Sequence, residues 1–448
     1  MTATAGSASV LERMARPLPA GLRRGLVTPV VVAFVASPRL RANPYPFYRA
    51  LHRVDPVHQS PFGVWLLSRH EDVTRVLRHP AASSMEEKAD LGAIHIAGLN
   101  RALSLLTLGK RRDVVDPGRD RSFFELMGQT MLFRDPPDHT RLRSLVNKAF
   151  TPQRVESLAP RVGGLMDELL EPVMADRRME LMGRLAYPLP ARVICELLGV
   201  PAEDHPFIVS RAPALGVGLD PGPMRSPAAV KAANRAARDL LGYLGELIDR
   251  RRRQPGPDLL SALIEAEEGG DRLSRDELLA TLGLVLVAGH ETTANLIGNA
   301  ICALIAHPVE LARLRDDPGL DRAAVEELMR YDGPIQMSER IALEDIVLSD
   351  RVIPKGRIVI LSMAAANRDP AVFEDPDRLD LNRPQPAHVG FGGGIHFCVG
   401  AALARLESRI VIPGLLRRLP GLRLAGPRPR RRPSFTVRGF SELHLAWD

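Results

Sequence analysis

The segment Phe391 to Arg405 reads FGGGIHFCVGAALAR and places one cysteine, Cys398, among glycines at 392, 393, 394 and 400. Glycine adopts positive φ readily and lets a backbone approach a flat group closely. Cys398 stands where a helical run opens, and a helix N-terminus offers free N–H donors and a positive dipole end that favour the thiolate. Such a thiolate can ligate an iron and push electron density toward it. The plainer alternative is a glycine-rich turn followed by a buried cysteine, which is what an isolated cysteine ordinarily is. Cys195 and Cys302 sit in apolar runs, ARVICELLGVP and ICALIA, and read as core. The three are too scattered for a CxxC or zinc-ribbon pattern, and such sparse use fits a reducing cytoplasm rather than a disulfide scaffold.

Three other groupings could do chemistry. In AGHETT, Ala288 to Thr293, an acid stands beside a hydroxyl inside an apolar run. Burying Glu291 is costly unless it is paired or neutralised, and Thr292 can compete for backbone hydrogen bonds and open the helical ladder near Gly289. Together they could hold water and relay protons, or they could be a satisfied core pair at a kink. His290 reads as structural. Glu327 and Arg330 are three apart and face each other on a helix; on a surface that pair is worth little. In RDPPDHTRLRSLV, His139 and Arg143 are four apart and share a helix face. Each could equally be a solvated surface group.

The elements that must position these residues are mostly helical. The longest candidate runs from Ser274 to about Ala306, opened by an S-x-x-E capping box of Ser274 and Glu277. It is apolar nearly all round, as a helix through the centre of a large domain should be, and His290, Glu291, Asn295 and Asn299 argue against a membrane span. Leu142, Leu145, Val146 and Ala149 give Asp138 to Ala149 one apolar face. Further helices are expected over His70 to His79, Arg154 to about Leu198, Ala323 to Tyr331, and from about Cys398. FGVWLLS, IALEDIVL, RVIPKGRIVIL and FTVRGFSELHLAW read as short strands. Residues 81–134 form a long, poorly periodic connection of the kind that often binds ligands, and the prolines and glycines of 206–229 break helices and mark a mobile segment.

With 448 residues, 45% hydrophobic and 25% charged, the chain can build a sizeable core. We expect a loosely ordered arm over residues 1–40 and a single domain over 41–448. The net charge is +7, with runs at Arg250 to Arg253 and Arg428 to Arg432, but aromatic residues are only 4% and no nucleic-acid motif surrounds either run. The apolar stretch Leu26 to Ala36 is shorter than the ~20 residues a bilayer demands, carries Pro29, and lacks a clean cleavage site, so a cytoplasmic protein without membrane contact is expected.

The cysteine segment resembles the haem-ligand loop of the cytochromes P450, F-G-x-G-x-H-x-C-x-G, with Phe391, Gly392, Gly394, His396, Cys398 and Gly400 all matching. The other groupings follow in family order, and the resemblance runs from about Asn43 to the end, closest to the soluble bacterial members. It implies a mainly α fold, a large helical domain with a small β subdomain, holding haem b (iron protoporphyrin IX) on Cys398. His139, Arg143, Arg340 (in SERIALED) and His396 would bind its propionates, where charge-assisted bonds are strong. Glu291 and Thr292 would manage protons over the distal face. Glu327 and Arg330 would lock the cysteine loop with a third basic group, Arg378 in PDRLDLNR, although Leu379 replaces the more usual aromatic there.

The implied reaction inserts one oxygen atom from O2 into an apolar C–H bond or alkene of a small molecule. No flavin or nicotinamide domain is expected, so electrons would come from a ferredoxin-type partner with its reductase, an acidic protein steered to a basic face. A peroxide-using relative is the alternative enzyme, which the acid–hydroxyl pair disfavours; a non-catalytic haem sensor is the other class. Substrate would touch segments 81–128 and 207–228, together with Ala288, Gly289, Ile335, Gln336, Met337, Phe440 and Ser441. Its identity is not legible, and a monomer is expected.

Overall fold

The computed structural model describes residues 20–60, 63–90, 127–216, 227–268, 270–349, 351–384, 387–432 and 434–448. The chain is helical from Ala20, where a loosely ordered arm is expected: helix α1 spans Ala20–Ala36 and continues through Pro29. The physical reason lies in its aromatic anchor. Phe34 stacks on Phe47 of α2 (Tyr45–Val54) with ring centroids 4.3 Å apart and meets Phe435 edge-on at 6.3 Å. Those partners are remote in sequence, so local composition does not announce them.

Strands β1 (Val57–Gln59) and β2 (Trp65–Leu67) precede α3 (His70–Arg78), which stops before Pro80 as expected, and β3 (Ala82–Ser83). Residues 91–126, most of the expected binding connection, lie outside the described residues. Helix α4 (Asp138–Ala149) buries Leu142, Leu145, Val146 and Ala149 along the anticipated face, with His139 beside them. Next come α5 (Ala159–Met174), β4 (Arg178–Glu180) and α6 (Pro188–Leu197). Helix α7 (His205–Leu215) occupies the start of the proline-rich segment: Pro206 falls in its first turn, where a fixed φ and a missing N–H are harmless. Residues 217–226 lie outside the described residues, and α8 (Pro227–Arg253) follows.

Helix α9 (Arg275–Ala306) is the axis of the molecule. The Ser274 hydroxyl accepts from the Glu277 N–H at 3.2 Å and the Glu277 carboxylate from the Ser274 N–H at 2.8 Å, closing the capping box. Packing by α6, α7, α8 and α10 (Asp321–Asp332) buries it on nearly every side. Its buried Asn299 is satisfied inside protein, donating to the carbonyls of Asp332 (2.9 Å) and Arg438 (3.0 Å). No single helix among the described residues is long and apolar enough to cross a membrane.

Strands β5 (Met337–Ala342) and β6 (Ile358–Ser362) complete a five-stranded sheet ordered β1-β2-β6-β5-β3. The β2–β6 pair is parallel, Leu66 opposite Ile360, and the other pairs are antiparallel. Helix α11 (Ala401–Arg418) lies against α9, α10 and α5. Strands β7 (Arg423–Leu424), β8 (Arg430–Arg431), β9 (Phe440–Glu442) and β10 (His444–Ala446) finish the chain, β10 pairing with both β7 and β4, and β8 with β9. Helices dominate and the sheets are small, which is the expected class.

Candidate active site

The cysteine loop is shaped by its glycines. Gly392 has φ +77° and Gly394 φ +62°. A Cβ on Gly394 would stand 2.2 Å from the Leu77 carbonyl oxygen, so the loop presses directly onto the end of α3. Within the loop the Cys398 N–H donates to the Phe391 carbonyl at 2.9 Å. Helix α11 begins at Ala401 with Gly400 as its cap, three residues later than the sequence suggests, and the Ala401 N–H donates to the Cys398 carbonyl at 3.3 Å. The cysteine therefore sits ahead of the helix, because positive-φ glycines and the turn at 394–396 delay helix entry. By surface area the residue is exposed, yet the protein around its sulfur pushes the thiol pKa upward; the Gly400 N–H, Arg143 and Arg405 pull it back toward the thiolate. Burial also raises Cys195, to about 12, and Cys302, and neither has a ligand-like setting.

Four basic residues converge near the loop. The rings of His139 and His396 meet at 4.5 Å between centroids. Among the described residues, both His139 nitrogens and His396 Nε2 are buried without a hydrogen-bond partner; the backbone of Ile395 lies near His139 but outside hydrogen-bond geometry. Burial, then Arg340, His139 and Arg143, drives the His396 pKa down to about 3. Arg340 is itself buried, which lowers it to about 10. Asp135, the acid beside them, is already engaged by Ser83 Oγ (2.5 Å), the Ser84 N–H (3.1 Å) and Lys88 (2.7 Å). Two arginines beside histidine nitrogens that are orphaned among the described residues, with Asp135 already engaged, suit carboxylates, so the residues present fit a haem with two propionates.

The lock on the loop is buried and bidentate. Arg330 reaches both carboxylate oxygens of Glu327 at 2.7 and 2.8 Å, with both side chains 2% exposed. The same guanidinium donates to the carbonyls of Asn367, Pro376 and Arg378 at 2.9–3.1 Å, stitching down the stretch that leads to the cysteine. The third basic group is Arg383, whose Nε lies 3.3 Å from Glu327 Oε1. Arg378 contributes only its carbonyl: its side chain is 63% exposed and turns to Asp380 at 3.8 Å. PDRLDLNR contains two arginines, and without the aromatic that marks the family register the sequence does not say which one turns inward.

On α9, Ala288 and Thr292 are half-buried and four apart, forming one open stripe, while Glu291 and His290 are buried. The helix stays unbroken past Gly289, and the Thr292 and Thr293 hydroxyls donate to the carbonyls of Ala288 (2.8 Å) and Gly289 (3.1 Å). Gly289 serves packing, since a Cβ there would stand 2.7 Å from Ile194 Cδ1. Glu291 is held by a residue that sequence reasoning missed: Arg432, ahead of the C-terminal hairpin turn, bonds both Glu291 Oε1 and the Tyr187 hydroxyl. Only an arginine run marked it in sequence. Of the other pocket candidates, Ile335 is half-buried and bridges to Val437. Gln336 is buried and spent on Tyr48 (3.2 Å) and the Gly333 carbonyl (2.9 Å). Phe440 lies in the main core under the Arg431 guanidinium, and Ser441, next along the strand, points out and donates to the Arg430 carbonyl. Period-two alternation in β9 thus assigns both to the fold rather than to a pocket.

The helical fold and the cysteine loop with its basic neighbours fit a haem-thiolate protein, the class to which comparison with known proteins also leads. The family model described as Cytochrome P450 matches residues 225–317 and 320–422. The chain is 41% identical over 408 residues to cytochrome P450 107B1 of Saccharopolyspora erythraea, covering 90% of this chain and 92% of that one. It is 40% identical to the vitamin D(3) 25-hydroxylase of Pseudonocardia autotrophica, covering 90% and 93%. Among solved structures, P450BioI in complex with an acyl carrier protein bearing hexadec-9Z-enoic acid superposes with a TM-score of 0.80 at 35% identity, covering 92% and 100%. The chain belongs to the cytochrome P450 family and is an oxidoreductase of that class, with the haem-thiolate cofactor the family implies.

Proposed function

We propose that the protein is a cytoplasmic, monomeric monooxygenase that inserts one atom of O2 into an apolar small molecule, fed by an external ferredoxin-type protein and its reductase. The observation that carries this reading is the convergence of Cys398 with the basic group His139, Arg143, Arg340 and His396, in which both histidines keep orphaned ring nitrogens. Cys398 Sγ would ligate haem iron, and the four basic side chains would hold its propionates. When bound, the haem supplies oxygen activation and transfer of an oxygen atom to carbon.

The chain's own residues orient and protonate. Arg432 and Asn295 fix Glu291 Oε1, which leaves Oε2 free to hold a proton. Thr292 faces the open stripe and can release its hydroxyl from the Ala288 carbonyl to direct a proton outward. Ala288 and Ile335, with the segments 81–128 and 207–228, would meet the substrate; a bulky apolar molecule suits them. Supporting an acidic electron donor is Arg78, exposed at the end of α3 where the cysteine loop is seated, with Ile395 and Phe397 exposed beside it as apolar contacts. A screen for substrates that shift the haem absorption band would find the natural class.

Thr292→Ala is expected to keep haem, substrate binding and electron uptake while its product per electron falls and its peroxide release rises. Glu291→Ala is expected to slow oxygen-dependent turnover ~100-fold. Product, peroxide and reductant measured together check both. Parental coupling in both variants would reduce the pair to packing features of α9, and haem loading without any reductant consumption in the parent would favour the sensor reading.

A further inference from the structure

His290 occupies the middle of the acid–hydroxyl segment, and the function above gives it no task. Its ring is buried, with Nδ1 2.5 Å from the Leu286 carbonyl. A carbonyl only accepts, so Nδ1 carries the hydrogen and Nε2 of the neutral ring presents a lone pair. That nitrogen has no hydrogen-bond partner among the described residues. Facing it at 3.8 Å is Glu291 Oε2, also buried and also without a partner, while Oε1 is engaged by Arg432 and Asn295. Two orphaned acceptors thus confront each other in the interior, and one proton between them would turn the confrontation into a hydrogen bond. The network opens to water at one edge: the Arg432 side chain is 24% exposed, and it donates to the half-buried Tyr187 hydroxyl at 2.8 Å.

We infer that His290 and Glu291 form one proton-holding site, with the proton shared between Nε2 and Oε2 and replenished from solvent along Arg432 and Tyr187. The inference rests on the acid–hydroxyl reading of Glu291 and Thr292 and adds the residue that reloads the acid. A proton leaves Oε2 toward the Thr292 face, Nε2 returns one to Oε2, and water at the Arg432 edge restores it to the ring. Only O–H and N–H bonds change, with no redox step. His290 acts through Glu291 and is a positioning residue. The groups that face it are Glu291, which favours its protonation, and Arg432, which opposes it; burial opposes it most. Tyr187, pushed up to about 12 by burial, stays protonated. A depressed imidazole is loaded on the acid side and empties as pH rises.

The test uses the holoenzyme with a plant-type ferredoxin, its NADPH reductase and an alkoxycoumarin as probe substrate. Product and peroxide per NADPH are followed from about pH 4.5 to about pH 7.5, a window reaching below the ordinary histidine range because burial lowers this imidazole. In the parent, product per NADPH is expected to fall as pH rises. His290→Gln offers Oε2 an N–H but holds no titratable proton, so its profile should be flat and about 10-fold lower at the acid end, with haem content unchanged. A packing role would be rescued by glutamine. In the 15N-histidine-labelled ferrous carbonyl protein, the Nε2 resonance absent from His290→Gln should move with pH and on Glu291→Gln. Parental profiles in His290→Gln, or an Nε2 resonance fixed at the neutral imidazole position throughout, overturn the inference. If Glu291→Gln itself couples like the parent, the acid–hydroxyl reading fails; if it is impaired while His290→Gln is not, only the present inference fails.

Discussion

Replacing Cys398 by serine is expected to abolish the long-wavelength absorption band of the ferrous carbonyl adduct while Cys195→Ala and Cys302→Ala keep it. The expectation follows from the setting of each sulfur. Burial raises the Cys398 thiol, but an N–H donor at Gly400 and two arginines, Arg143 and Arg405, pull it toward the thiolate, and its loop is held in shape by glycines at φ +77° and +62°. Cys195 is wholly enclosed in the main core, and Cys302 packs against it. A hydroxyl is a far weaker and harder donor than a thiolate, so the serine variant should lose the electronic signature even if some haem is retained. Ferrous carbonyl spectra of the three purified variants decide the matter; an unchanged band in Cys398→Ser would remove the central assignment.

Glu327→Ala and Arg330→Ala are expected to yield protein that folds poorly or loses haem, as measured by haem content and thermal unfolding. Removing one partner strands a charge that is 2% exposed, and breaking a buried pair costs ~3–5 kcal/mol. Domains are typically stable by only ~5–15 kcal/mol, so the loss is a large share of the whole. Arg330 carries more than the ion pair: its three carbonyl contacts would also be lost, so Arg330→Ala should be the worse of the two. Arg378→Ala serves as the control and should behave like the parent, because its exposed side chain holds nothing in the lock.

The parts legible in sequence are those with local physical signatures. The α9 capping box, the apolar face of α4 and the stop of α3 before Pro80 each depend on neighbours within a few residues, and each is found where patterning places it. The cysteine motif has fixed spacing and was equally plain. What the sequence hid depends on remote partners. Helix α1 is ordered by Phe47 and Phe435, Arg383 rather than Arg378 turns toward Glu327, and Arg432 reaches Glu291 from the far end of the chain. Gln336, Phe440 and Ser441 read in sequence as pocket candidates, yet packing assigns the first two to buried contacts and the third to the surface.

The seating of Gly393 and Gly394 on Leu77 bears on the order in which the molecule is built. Helix α3 is made early and its counterpart loop very late, as are Asp369 and Ala387, which bond His70 at the same helix. Joining segments so distant must overcome loop-closure entropy before any contact repays it. A chain leaving the ribosome from its N-terminus therefore carries α3 without these partners until residues 369–394 have followed. The cysteine loop, which touches α3 on one side and follows the stretch tethered by Arg330 on the other, takes its final shape only after both α3 and α10 have been made.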